Sequence, residues 1–148
     1  MLVPTTILLD PEPNDAQIAI ARKAAELAAV LGNAVSPIQE IAITDGFVQR
    51  FERGDIYYAP ALGAHAVYGE IKAKYDQMGG PDSLLGFPES DVTLLPDRHG
   101  QFCDFHAASI YAHPQIGPRV VADPVRQSWR SQGAQAGNLG YPCATTIP

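Results

Sequence analysis

Three histidines, His99, His106 and His113, stand seven residues apart, and imidazoles at a regular interval first raise metal binding. In extended chain an odd spacing turns neighbouring members to opposite faces. The places one repeat earlier hold Asp45, Glu52 and Ala59, so the set reads as separate surface residues, with no metal and no cofactor implied. Carboxylates raise a second chemistry, because a glycosidase needs two of them at a defined separation in a cleft. Asp45, Glu52 and Asp55 are the candidates, and a small hydrolase stays as the lesser alternative. A serine hydrolase is harder to support, since no Gly-x-Ser-x-Gly elbow occurs in the chain. Gly79-Gly80 follows a helical run instead of opening one, and so reads as a stop signal, not a phosphate loop. Cys103 and Cys143 leave three readings open: two buried thiols, a disulfide, or part of a metal site. A bridge between them would close a loop of about 40 residues, contribute roughly 4 kcal/mol and point to an oxidising compartment.

These residues must be positioned by a body of modest size. The chain has 148 residues, 46% hydrophobic and 18% charged, with 13 Gly and 13 Pro. That is one compact domain with many turns. A net charge of −6 argues against nucleic acid as partner, because such binding depends on Lys and Arg displacing counterions from phosphates. The longest apolar tract, Ala24 to Leu31, is interrupted by Glu26, so membrane insertion is not expected. Met1 to Asp10 lacks the basic start and apolar length of a signal peptide. A secreted form would have lost its leader ahead of Met1.

The organising feature is a repeat. Leu31-Gly32, Leu85-Gly86 and Leu139-Gly140 fall at one interval of 54 residues. The same offset carries Gly46 onto Gly100, Phe51 onto Phe105, Ile56-Tyr57 onto Ile110-Tyr111, Pro60 onto Pro114, and Gly79 onto Gly133. Residues 31–84 and 85–138 share eleven identities without a gap, about three times what composition alone would give, so the match reads as a true repeat. Unit 1 is therefore 31–84 and unit 2 is 85–138. Partial units at 1–30 and 139–148 flank them, the first beginning at Ile7-Leu8-Leu9-Asp10-Pro11.

Within a unit, Phe47 to Phe51 and Asp55 to Ala59 are β-prone, as are Gly100 to Phe105 and Ser109 to His113. With the run Val92 to Leu95, three strands per unit are expected. One short helix follows: Glu70 to Met78, with Ile71, Tyr75 and Met78 on one face, and Pro124 to Gln132, with Val125 and Trp129 on the matching face. Asp123 and Pro124 suit a helix start, and Gly79 and Gly133 suit its end. A longer helix is expected over Asp15 to Val30. The fold class is α+β, a repeat of short antiparallel strands with one short helix per unit.

Leu85-Gly86-Phe87-Pro88, Leu139-Gly140-Tyr141-Pro142, Phe51 to Pro60 and Gly63-Ala64-His65-Ala66-Val67 resemble the LGFP repeat in motif and period. The resemblance spans roughly residues 31 to 142. It implies a non-catalytic carbohydrate-binding or cell-wall-anchoring module, extracellular or in the cell envelope, with a wall polysaccharide as partner. The alternative is a protein-interaction module, and the broken units at the two ends leave a homodimer open. Recurrence marks Tyr57, like Tyr111, as packing first. Tyr58 faces Ala112 across the repeat and should point opposite to Tyr57, which makes it the leading sugar-stacking residue, with His65 or Arg50 taking hydroxyls.

Overall fold

The computed structural model describes residues 15–41, 45–96, 98–115, 117–123 and 125–131. Two helices open it, α1 (Asp15–Glu26) and α2 (Ala28–Leu31). Unit 1 then supplies β1 (Gln39–Glu40), β2 (Phe47–Phe51), β3 (Gly54–Ala59), β4 (Gly63–Tyr68), α3 (Gly69–Met78) and a 3-10 turn at Gly80–Asp82. Unit 2 supplies β5 (Thr93–Leu94), β6 (Gln101–Asp104), β7 (Ala108–His113), β8 (Gly117–Ala122) and α4 (Val125–Ser131). The strands form two antiparallel sheets, ordered β1-β2-β3-β4 and β5-β6-β7-β8. Each strand of the second sheet begins 54 residues after its counterpart in the first. Even an isolated bridge, Ala34 to Phe51, recurs as Pro88 to Phe105.

The α+β class expected from the sequence is present, but each sheet has four strands and not three. The extra strands are β4 and β8. Gly63-Ala64-His65-Ala66 is poor in β-branched residues, and Pro118 sits inside β8, so neither segment carries an ordinary strand signal. Both are edge strands, where a proline in place of a ladder N–H is tolerated. The run Val92 to Leu95 contributes only the two residues of β5. The expected helix over Asp15 to Val30 is divided at Leu27 into α1 and α2. Gly79 closes α3 in the left-handed region, at φ 114°, as its type predicts. Asp123 directs its carboxylate to Arg126, at 2.8 and 2.9 Å. Pro124, Gly133 and both partial-unit motifs, Ile7 to Pro11 and Leu139 to Pro142, lie outside the described residues.

Alternation along the strands explains how the layers stack. Ile56 and Tyr58 of β3 point to one side of the first sheet and pack with Ala16 and Ile20 of α1. Tyr57, Val48 and Val67 point to the other and pack with Ile71 and Tyr75 of α3. That same cluster takes in Phe105, Ile110 and Val120 from the second sheet, so α3 lies between the sheets. Tyr111 and Val121 face away from it and pack with Trp129 of α4. The order is α1, first sheet, α3, second sheet, α4, with an apolar layer at each junction. Because both faces of each sheet are covered, β3 and β7 are buried at almost every position.

Candidate functional site

The side of unit 1 that faces α3 carries polar as well as apolar residues. Arg50 and Asp55 are register partners on β2 and β3, and Tyr57 lies two residues beyond Asp55 on the same face. Arg50 donates to Asp55 at 2.6 Å and to the Tyr57 hydroxyl at 3.3 Å. Gly69, at φ 67°, lets the chain turn out of β4 and start α3 over this face. Lys72 in the first turns of that helix then comes within 3.6 Å of Asp55 and 2.6 Å of Asp76. The result is a row of alternating sign: Arg50, Asp55, Lys72, Asp76.

Two cavities open beside this row. The larger, about 770 Å³, lies between Val30, the Glu52-Arg53 turn, Tyr68 and Lys72. The smaller, about 560 Å³, lies between Val48, Tyr57, Asp76 and the Gly79–Asp82 segment. Arg50 and Lys72 line both, so the two adjoin as a groove with the cations between its halves. Arg53 is held there by bonds to the carbonyls of Val30 and Ala29 at the end of α2. Burial raises Asp55 above the ordinary carboxylate range, against the pull of Arg50 and Lys72. Burial would by itself ease the protons off Arg50 and Lys72, but Asp55 and Asp76 outweigh it and hold both cations more firmly charged. Burial also drives the Tyr57 hydroxyl well up, so it stays neutral.

Of the residues singled out in the sequence, Arg50 and Tyr57 therefore meet, and Arg50 lines the groove. His65 pairs with Tyr57 across β4 and β3 and belongs to the same face. It is held at the sheet edge, with one ring nitrogen 2.8 Å from the Leu62 carbonyl and the other 3.3 Å from Asp91. Tyr58 does turn to the opposite face, as alternation requires. There its fate differs from the expectation: α1 covers that face, the residue is 9% exposed, and its ring packs on Phe47. It cannot share a ligand with Arg50 or His65, because the sheet separates them and little of its ring reaches solvent.

The remaining candidates are dispersed. Glu52 accepts the Asn33 backbone N–H at 2.8 Å, whereas Asp55 is buried under Arg50 and Lys72, and Asp45 is exposed. His99 and His113 come together with ring centres 6.4 Å apart, while His106 stands apart beside Glu89 at 3.4 Å. Among the described residues no group of three His, Cys, Asp or Glu is placed to hold a metal. Cys103 is fully buried, donates to the Ser90 carbonyl at 3.2 Å, and has its thiol pushed far up by burial. Cys143 lies outside the described residues.

Two residues not singled out in the sequence matter here. Tyr68 lines the larger cavity and donates to the Val92 carbonyl at 3.4 Å. Its counterpart is Ala122, so the test of disagreement between copies that selected Tyr58 selects it equally well. Asp91 caps the edge of β4: it accepts the Ala66 N–H at 3.0 Å and Lys23 of α1 at 2.6 Å. Its counterpart is Pro37, and nothing in the spacing reveals the contact.

Comparison with known families matches the repeat itself, over residues 31–83 and again over 85–137. The chain belongs to the LGFP repeat family. Comparison with curated proteins finds no match. The two LGFP matches coincide with the two sheet-and-helix assemblies, and the groove belongs to the first.

Proposed function

We propose that this chain is a non-catalytic carbohydrate-binding module of the LGFP repeat family. It anchors to a cell-envelope polysaccharide through the groove of unit 1, on the outside of the cell. The observation that carries the reading is the row of Arg50, Asp55, Lys72 and Asp76 along one open groove. Sugar hydroxyls donate and accept at once, so a row of alternating donors and acceptors matches them better than it matches an anion or a cation. Tyr68 adds an aromatic wall against which the C–H face of a sugar can rest. A non-catalytic role agrees with the state of the carboxylates nearest the row: Asp55 is paired with two cations, Asp76 with Lys72, and Glu52 with a backbone N–H.

The test is retention on purified cell-wall polysaccharide. The native chain should bind, and Tyr68→Leu and Lys72→Gln should each weaken binding by about tenfold or more while circular dichroism stays native. Retention of a protein partner with no polysaccharide bound would overturn the reading in favour of a protein-interaction module. Release of reducing sugar on prolonged incubation would overturn its non-catalytic part.

A further inference from the structure

The 54-residue repeat puts different side chains at the groove positions of the two units. We infer that the chain binds through one groove and not two, because among the described residues Arg126, which stands at the place of Lys72 in unit 2, is folded inward onto partners within the chain. The inference rests on the carbohydrate-binding reading above and sets its valency.

The 54-residue offset puts Arg126 where unit 1 has Lys72. The Lys72 side chain is 30% exposed and lines both cavities, whereas that of Arg126 is 9% exposed. The arginine is folded inward. Its Nε donates to Asp123 at 2.9 Å, one terminal nitrogen to the Phe105 carbonyl at 3.1 Å and Ser109 at 3.2 Å, and the other to the His106 carbonyl at 3.4 Å and Asp123 at 2.8 Å. A guanidinium has five N–H donors, and all five here have partners within the chain. None is left for a ligand. Phe105 and His106 are the counterparts of Phe51 and Glu52, which line the larger cavity of unit 1. Arg126 thus occupies the space that is open beside Lys72.

The other positions change in step. Asp123 stands where Gly69 opens the cavity, and it pins Arg126. Ser109 replaces the buried Asp55. Asp104 replaces Arg50 and Arg130 replaces Asp76, which reverses the sign at both places, and Arg130 reaches Asp104 and also Ser109 at 2.9 Å. Ala122, buried, replaces Tyr68 and removes the aromatic wall. A chance loss of one binding residue would leave the others in place. Here Arg126 turns into the space and the more exposed Arg130 pairs with Asp104 and Ser109 beside it, so the changed residues satisfy one another.

Equilibrium dialysis of the full chain against soluble fragments of purified cell-wall polysaccharide tests this. Tyr68→Leu with Lys72→Gln in unit 1 should remove more than nine-tenths of the bound fragment. Arg130→Ala in unit 2 should change affinity and capacity less than twofold. Transplanting the unit 1 residues into unit 2 (Asp104→Arg, Ser109→Asp, Ala122→Tyr, Asp123→Gly, Arg126→Lys, Arg130→Asp) should double the capacity per chain. If that variant does not fold, the first two decide alone. A unit 1 variant that keeps about half the capacity, or an Arg130→Ala chain that loses half, would overturn the single groove. A native chain that binds no fragment overturns the carbohydrate reading, and the inference falls with it.

Discussion

Tyr58 and Tyr68 stand on neighbouring strands of one hairpin, and they show how far residue type alone carries a functional reading. Each is an aromatic in unit 1 opposed by alanine in unit 2. Both touch the cluster beneath α1, but Tyr58 is buried there, whereas Tyr68 is half-buried at the end of β4 and also lines the larger cavity. Tyr58→Ala should therefore cost about 3 kcal/mol of stability, in the usual range for truncating a buried aromatic, read as a lowered urea midpoint. Its loss of binding should follow unfolding and recover when stability is restored by low temperature. The groove was only partly legible in sequence. Residue type and spacing suggest Arg50 as a partner for Tyr58 and Tyr57 as packing first, yet Arg50 and Tyr57 meet on one face, and the contacts of Lys72 and Asp91 depend on how a helix crosses a sheet, which no spacing encodes. Asp91 also carries the clearest pH dependence. Burial alone would raise it, but bonds from His65, Lys23 and the Ala66 N–H override that and hold it at about 2. A carboxyl depressed in the folded state contributes stability above its unfolded value, near 4, and loses it as pH falls through about 2. With Asp91 partly exposed, that is on the order of 1 to 2 kcal/mol between pH 5 and pH 2. Asp91→Asn should make acid titration of the folded chain flatter by that amount, followed by circular dichroism.

The elements were legible where a single local rule decides them. Helix α3 ends at Gly79 because a left-handed residue is needed there, and β2 turns into β3 over Glu52-Arg53 because two residues suffice for a hairpin. Strands β4 and β8 escaped notice since an edge strand need not be rich in β-formers when it is held from both sides. The free edge of β4 is taken by the Asp91 carboxylate and by the Val92 N–H, 3.2 Å from the Ala66 carbonyl. Gly46 shows the recurring sequence motif acting at this scale. A Cβ there would lie 2.1 and 2.4 Å from ring atoms of Phe87, so the aromatic of unit 2's Leu-Gly-Phe-Pro rests directly on unit 1's backbone. Gly46→Ala should force Phe87 off its seat and away from Tyr57, whose ring it meets edge-on with centres 6.5 Å apart. The expected cost is about 2 kcal/mol, as for other overpacked sites. Adding Phe87→Leu should recover part of it, and a double-mutant cycle on urea midpoints measures the coupling.

At the scale of the molecule, the layers α1, sheet, α3, sheet, α4 give each unit only half of its own core. Tyr75 shows the sharing: its ring meets Tyr57 of unit 1 edge-on with centres 5.4 Å apart, stacks on Phe105 of unit 2 at 4.4 Å, and its hydroxyl donates to the Gly86 carbonyl at 2.7 Å. Neither sheet can keep its inner face dry without the other, since α3 alone is too short a helix to persist in water. Unfolding should then be a single event, although a repeat architecture would allow each unit its own. The chain offers a way to see this, because its one tryptophan, Trp129, lies in the last layer, against Tyr111. Ile20 lies in the first, fully buried between α1 and the first sheet. Ile20→Ala removes about 3 kcal/mol at a site that Trp129 does not touch. If the core is shared, the urea transition seen by Trp129 fluorescence should move down by on the order of 1 to 2 M and stay superimposed on that seen by circular dichroism. A Trp129 transition that stays in place while the circular dichroism shifts would mean that the units fold independently. Tyr75→Ala supplies the converse. By cutting the ring that touches both sheets, it should pull the two transitions apart even as it lowers both.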